Sequence, residues 1–132
     1  YREANAYFIL CKAHEQGSFL QYVSYKDLEP LIGFEDASEL IMANNYTAQD
    51  FLLGVWRGDG RYFRMREDGS ISYNIPHIKY GEYYRIKDGV FLKYYSQTYS
   101  ITEKLFAVKI VNKNCIKVFA YKNGMTYTLY RQ

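Results

Sequence analysis

The sequence predicts an α+β chain: short N-terminal helices over residues 1–49, then an antiparallel eight-stranded β-barrel or sandwich over residues 50–132. Three observations predict it. Short aromatic runs from Phe51 to Arg131 are divided by Asp59-Gly60, Asp68-Gly69, Asp88-Gly89 and Asn123-Gly124, dipeptides whose turns match the twist of paired strands. Within those runs apolar and polar residues alternate with period two, as in a half-buried antiparallel sheet. Ahead of them, Ala6, Ile9, Leu10 and Ala13 fall on one helical stripe.

In chain order, that stripe makes residues 2–16 a helix with Gly17 as its stop. Ser24-Tyr25-Lys26-Asp27 reads as a second helix start, which Pro30 limits to a turn or two. Asp36 is the clearest N-cap. Its carboxylate can accept from first-turn amides while Glu39 reaches back, and Leu40 and Ile41 supply a buried face. Thr47 to Asp50 offers another cap, giving Phe51-Leu52-Leu53 a helical turn before Gly54 releases the chain.

Strands are expected near 54–57, 61–66, 70–74, 80–86, 90–95, 105–111, 115–121 and 125–131. Alternation sets Phe63 and Met65 against Arg64 and Arg66, and Val90, Leu92 and Tyr94 against Phe91 and Lys93. It likewise sets Phe106, Val108 and Ile110 against Ala107 and Lys109, and Ile116, Val118 and Ala120 against Lys117 and Phe119. Pro76 bars Asn74–Lys79 from a central strand, and residues 96–104 read as an irregular loop.

Composition narrows the chemistry. Tyrosine is in excess, sixteen against eight Phe and one Trp, which suits strands with one buried and one wet face. Residues 1–50 carry three Lys/Arg and eight Asp/Glu; the rest carry fourteen and six, so −5 and +8 sum to +3. Such asymmetry can mark a basic face for an anionic partner, though docking of the two halves together with Lys/Arg protection of strand edges is the preferred account. Cys11 and Cys115 make no disulfide framework and read as buried free thiols. No stretch is apolar and long enough to span a bilayer. The chain opens on Tyr1 rather than Met, so it reads as part of a larger protein. It would be either the extracytoplasmic part of a membrane-anchored protein or cytoplasmic.

Catalytic constellations are not found. His14 and His77 stand far apart without ligands at metal spacing, no Gly-x-Ser-x-Gly elbow occurs, and Asp before Gly is what the turns demand. Gly58-Asp59-Gly60 lacks the Lys and helix of a phosphate loop. The chain therefore reads as a non-enzyme without cofactor or metal. Arg57, Arg61, Arg64, Arg66 and Arg85 beside Tyr62 and Tyr83 form a basic-aromatic pattern suited to single-stranded nucleic acid. The modest overall charge and the strand count make nucleic acid an unlikely partner.

Two resemblances follow from these residues. Gly33-Phe34-Glu35-Asp36-Ala37-Ser38-Glu39-Leu40-Ile41, behind a helix-turn-helix, resembles one degenerate tetratricopeptide-type repeat. Gly54-Val55-Trp56 at the first strand, hairpin-linked strands and Arg131 on the last resemble small bacterial lipocalin-like (calycin-like) barrels. That resemblance implies that Trp56 closes one barrel end, with Arg131 lying across its ring and Gly54 opening the strand. About eighty residues over eight strands depart from the family in size, so the interior, with Tyr84, Tyr94, Phe106 and Tyr127 as candidate lining, is expected to be largely filled, against the family's ligand-carrying role. The expected function is a non-enzymatic binding module of a larger bacterial protein, recognising a protein, peptide, glycan or envelope component. The alternatives are a carrier of a small hydrophobic ligand at a barrel mouth lined by Tyr84, Tyr94 and Tyr127, and the nucleic-acid binder.

Overall fold

The computed structural model describes residues 4–5, 7–9, 11–12, 29–33, 36–77, 83–87, 89–95 and 100–132. Ala6, Leu10, Ala13, His14, Gly17, the Ser24–Asp27 helix start and residues 96–99 lie outside the described residues. So do the side chains of Tyr83, Tyr84, Arg85 and Tyr94.

The class is α+β. Helical residues 4–5, 7–9 and 11–12 come first, then a 3-10 turn, Glu29–Leu31. Helix α1, Ala37–Ala43, and helix α2, Asn45–Leu52, follow, separated by Asn44 alone. The strands are β1 (Gly54–Gly58), β2 (Arg61–Met65), β3 (Ile71–Tyr73), β4 (Tyr83–Lys87), β5 (Val90–Tyr95), β6 (Ser100–Asn112), β7 (Cys115–Ala120) and β8 (Met125–Arg131). All pair antiparallel in one sheet, in the order β3-β2-β1-β8-β7-β6-β5-β4. Seven strands have five or more residues, and β3, with three, is a short edge rather than an eighth full strand.

The sheet curls into a half-barrel. Phe63 on β2 and Phe91 on β5 are separated in the sheet by β1, β8, β7 and β6, yet their ring centroids lie 5.5 Å apart. Tyr73 on β3 meets Phe106 on β6 at 5.3 Å in the same way. Only a sheet bent round on itself brings such positions together. Among the described residues no ladder joins β3 to β4, so the closed barrel expected from the sequence is an open curl.

Turn chemistry sets the register. Asp59 (φ 52°) and Gly60 (φ 74°) are both left-handed, the geometry of a two-residue hairpin that matches strand twist. At the β2–β3 turn, Ser70 donates its amide (2.9 Å) and hydroxyl (2.6 Å) to Asp68 Oδ1. Those two bonds hold the Asp68 carboxyl below its ordinary range. Gly54 leaves α2 at φ +106°, a conformation that disfavours any side chain. Gly58 is required for a different reason: a Cβ there would sit 2.1 Å from the Thr128 carbonyl oxygen, because β1 and β8 approach so closely.

Several expectations are corrected. The irregular stretch 96–104 is strand from Ser100 onward, because β6 continues along β5 with register shifts between Phe91/Leu92 and Lys93/Tyr94. Those shifts break the alternation. Phe91 pairs with Phe106 and stacks on it in the interior at 4.7 Å, and Leu92, just beyond the first shift, is buried as well instead of opposing it. Helix α2 begins at Asn45, and its cap is Asn44, whose Oδ1 accepts from the Thr47 amide at 3.1 Å. Thr47 lies fully buried inside that helix. Asp36 does precede α1, but its side chain makes no cap bond. It instead accepts the Tyr7 hydroxyl, and the carboxylate pushes that phenol above its ordinary range.

One cluster of buried side chains runs through helices and sheet. Leu40, Ile41, Met42, Ala48, Phe51 and Leu52 pack with Trp56, Phe63, Phe91, Phe106, Ile116 and Val118. Tyr7, Ile9 and Cys11 lie half-buried against it. α1 lies on β6 and α2 on β2, and α2 crosses the boundary expected between residues 49 and 50. Lys113 meets Glu29 at 3.4 Å, an exposed pair joining the basic half to the acidic one.

Candidate functional site

Three regions carry the candidate residues. The first is where α2 runs into β1. Trp56 and Arg131 are cross-strand partners, and the guanidinium carbon of Arg131 stands 4.2 Å over the indole and 5.2 Å from the Phe51 ring centroid. Trp56 is fully buried and donates its Nε1 hydrogen to the Leu52 carbonyl at 3.0 Å. Arg131 donates to the carbonyls of Phe51 (3.0 Å), Leu53 (3.2 Å) and Lys113 (3.0 Å). Carbonyls at the end of a helix lack intrahelical partners. Residues 51, 52 and 53 thus have theirs satisfied by two side chains from the sheet, and the cation faces the negative end of α2. Gly54 is the bend that lets both reach.

The second region is the opposite end of β8. Tyr127 is buried on β8; its hydroxyl accepts from Asn123 Nδ2 at 2.8 Å, and Arg61 stands 5.1 Å over its ring. Arg61 also donates to the Asn74 carbonyl at 3.1 Å. Tyr84 is on β4 and Tyr94 on β5, with β6 and β7 between β5 and β8. The backbone therefore does not place the three tyrosines side by side along the sheet. Phe63, Phe91 and Phe106 pack ring against ring inside the curl and are fully buried. A cleft of about 110 Å3 lies between α1 and β6, lined by Ser38, Glu39, Met42, Val108, Lys109 and Ile110; Tyr127 does not line it.

The third region is the outer face of the sheet. Arg57 on β1 is paired across the strands with Tyr62 on one side and Tyr130 on the other. Its guanidinium carbon lies 5.9 Å from the Tyr62 ring centroid. Arg64 pairs with Val55, and Arg66 donates to the Ser72 hydroxyl at 2.7 Å. Lys117 on β7 lies between Lys109 and Thr128, which sets it diagonal to Tyr130, within reach of long side chains. Phe119, two residues along, packs edge-on to Tyr121 at 5.1 Å. Tyr130 is 55% exposed and Phe119 36%, large rings left in water. The carboxylates of residues 54–73 and 105–131 all stand in turns: Asp59, Glu67 and Asp68.

The sequence suggests Arg57, Arg61, Arg64, Arg66 and Arg85 as one stripe, the Arg85 side chain lying outside the described residues. The sheet divides them, with Arg57, Arg64 and Arg66 on the outside and Arg61 over the Tyr127 ring. Tyr130, Lys117 and Phe119 were not recognised as part of a surface. Alternation from the buried Tyr127 and Leu129 would have placed Tyr130 outward.

Among other reactive side chains, Cys115 is buried and Cys11 half-buried, both as free thiols. His77 Nδ1 lies 3.2 Å from the Ile75 carbonyl, and its ring meets Tyr73 at 5.2 Å. Among the described residues no helix is long and apolar enough to cross a membrane. No family model, no curated protein and no solved structure matches this chain.

Proposed function

We propose that this chain is a non-enzymatic binding module that meets its partner on the outer face of the curled sheet, around Arg57, Tyr62 and Tyr130. In this reading the chain is part of a larger bacterial protein. The curl is a lipocalin-like barrel, the lead-in a degenerate tetratricopeptide-like hairpin, and Gly54, Trp56 and Arg131 the seal of one barrel end. What supports the barrel assignment is the next-neighbour strand order with β8 returning beside β1. What supports the seal is the guanidinium over the indole.

One observation carries the choice of the outer face. Phe63, Phe91 and Phe106 are fully buried and packed ring against ring, while Tyr130 stands 55% exposed beside Arg57 and diagonal to Lys117. Exposed rings beside uncompensated cations are what recognition surfaces use.

Amide shift mapping tests this with two probes, oleate and a decameric oligoglutamate. The oligoglutamate is expected to shift Arg57, Arg64, Lys117 and Tyr130, and oleate to leave Phe63, Phe91 and Phe106 unmoved. Oleate shifts concentrated on those three phenylalanines would overturn the outer-face reading in favour of a carrier.

A further inference from the structure

We infer that the outer face of β2, β1, β8, β7 and β6 is a binding site for single-stranded nucleic acid, with Tyr130 as a base-stacking ring. The inference rests on the outer-face reading and deepens it. Its starting point is how the sheet sorts side chains. The chain's overall charge of +3 is modest, but the pleat collects Arg57, Arg64, Lys109 and Lys117 on one surface, all exposed. Arg64, Lys109 and Lys117 make no ion pair among the described residues. Of the carboxylates at the turn ends, Asp59 has its Oδ2 accepting the Thr128 amide at 2.8 Å.

Rings alternate with these cations. Across the sheet the direct neighbours run Tyr62, Arg57, Tyr130, and Lys117 follows on the diagonal with Phe119 beyond it. Arg57 is steadied over the Tyr62 ring, which leaves the more exposed Tyr130 face free for a planar partner. Four inter-strand steps from β2 to β6 span about 19 Å at ~4.8 Å each. That length suits a site of about four nucleotides, the small end for compact β domains.

A flexible polyanion with planar bases satisfies both halves of the surface, phosphates on the cations and bases on the rings. A duplex buries its bases and uses only the first half. An acidic peptide or a sulfated glycan offers charge without a stacking plane, so it too leaves Tyr130 unused.

Fluorescence anisotropy tests the inference with labelled oligo-dT of ten residues, an abasic strand of the same length, and a ten-base-pair duplex. The expected result is that oligo-dT binds at least about tenfold tighter than the abasic strand, as one stacked base provides. Neutralising about four phosphates gives a logarithmic salt slope near −2.8, roughly a fiftyfold loss between 50 and 200 mM salt. Tyr130→Ser is expected to erase the preference for dT over the abasic strand. Lys117→Gln is expected to keep that preference and reduce the slope by about 0.7. Both positions are exposed, so an unchanged melting temperature checks that the variants remain folded.

Equal binding of the abasic strand, tighter binding of the duplex, or no binding of oligo-dT at 50 mM salt overturns the nucleic-acid inference. If the oligoglutamate still shifts Arg57 and Tyr130 in that case, the outer-face reading stands without it. If no probe shifts that face, both fall.

Discussion

The Arg131 guanidinium covers the Trp56 indole and donates to three carbonyls, so the two residues hold the end of α2 against β1 as one unit. Trp56→Ala removes the ring that is covered and the Leu52 partner together. The expected loss is about 3–5 kcal/mol, the cost of truncating a buried tryptophan. Urea unfolding followed by far-ultraviolet dichroism checks it, and an unchanged midpoint would contradict the burial of this side chain. The placing of Arg131 over the Trp56 ring was suggested by the resemblance to lipocalin-like barrels. That Arg131 also holds Phe51 and Leu53 was not, because a sequence does not show which helix-end carbonyls are left without partners. The same limit hid the diversion of Asp36 to Tyr7.

At the scale of elements, the two helices separate two kinds of cap. Asn44→Ala removes a side-chain oxygen that accepts from Thr47, and a loss of about 1 kcal/mol is expected. Asp36→Ala removes no cap bond. Its effect is expected to match Tyr7→Phe and to vanish in the Tyr7→Phe background, since both delete the same contact. Unfolding midpoints of the four proteins check this, and additive losses would contradict it. Strand positions were largely legible, since Asp-Gly and Asn-Gly pairs reported most turns and β8 runs from Met125 to Arg131 as expected. What failed was the facing of Phe91 and the start of β6. Between β5 and β6 the register shifts leave Leu105 and Thr102 of β6 without a partner on β5, an irregularity that leaves no mark in composition.

For the whole molecule, the question is whether residues 50–132 stand alone. The shared cluster places Leu40, Ile41 and Met42 against the same core as Phe106 and Val108. A fragment spanning 50–132 is therefore expected to melt below the full chain and to bind an apolar dye, because removing α1 uncovers that side of the core. A fragment with the same melting temperature and no dye binding would show that the sheet is independent of its lead-in. Fold class was readable from periodicity alone. The openness of the curl was not, because closure depends on whether the outer strands meet, and β3 is too short to reveal this by pattern.

The strand order has one more implication, which concerns time rather than space. Of the eight strands β8 is the last in the chain, yet it lies in the middle of the sheet, with β1 on one side and β7 on the other. Until it is made, β1 to β3 and β4 to β7 are two separate meanders with unpaired edges facing each other. Joining them requires contact between residues as distant as Trp56 and Arg131, a long loop to close before any pairing energy is returned. The sheet thus stays in two incomplete pieces until β8 is made, and a single late insertion turns them into one sheet.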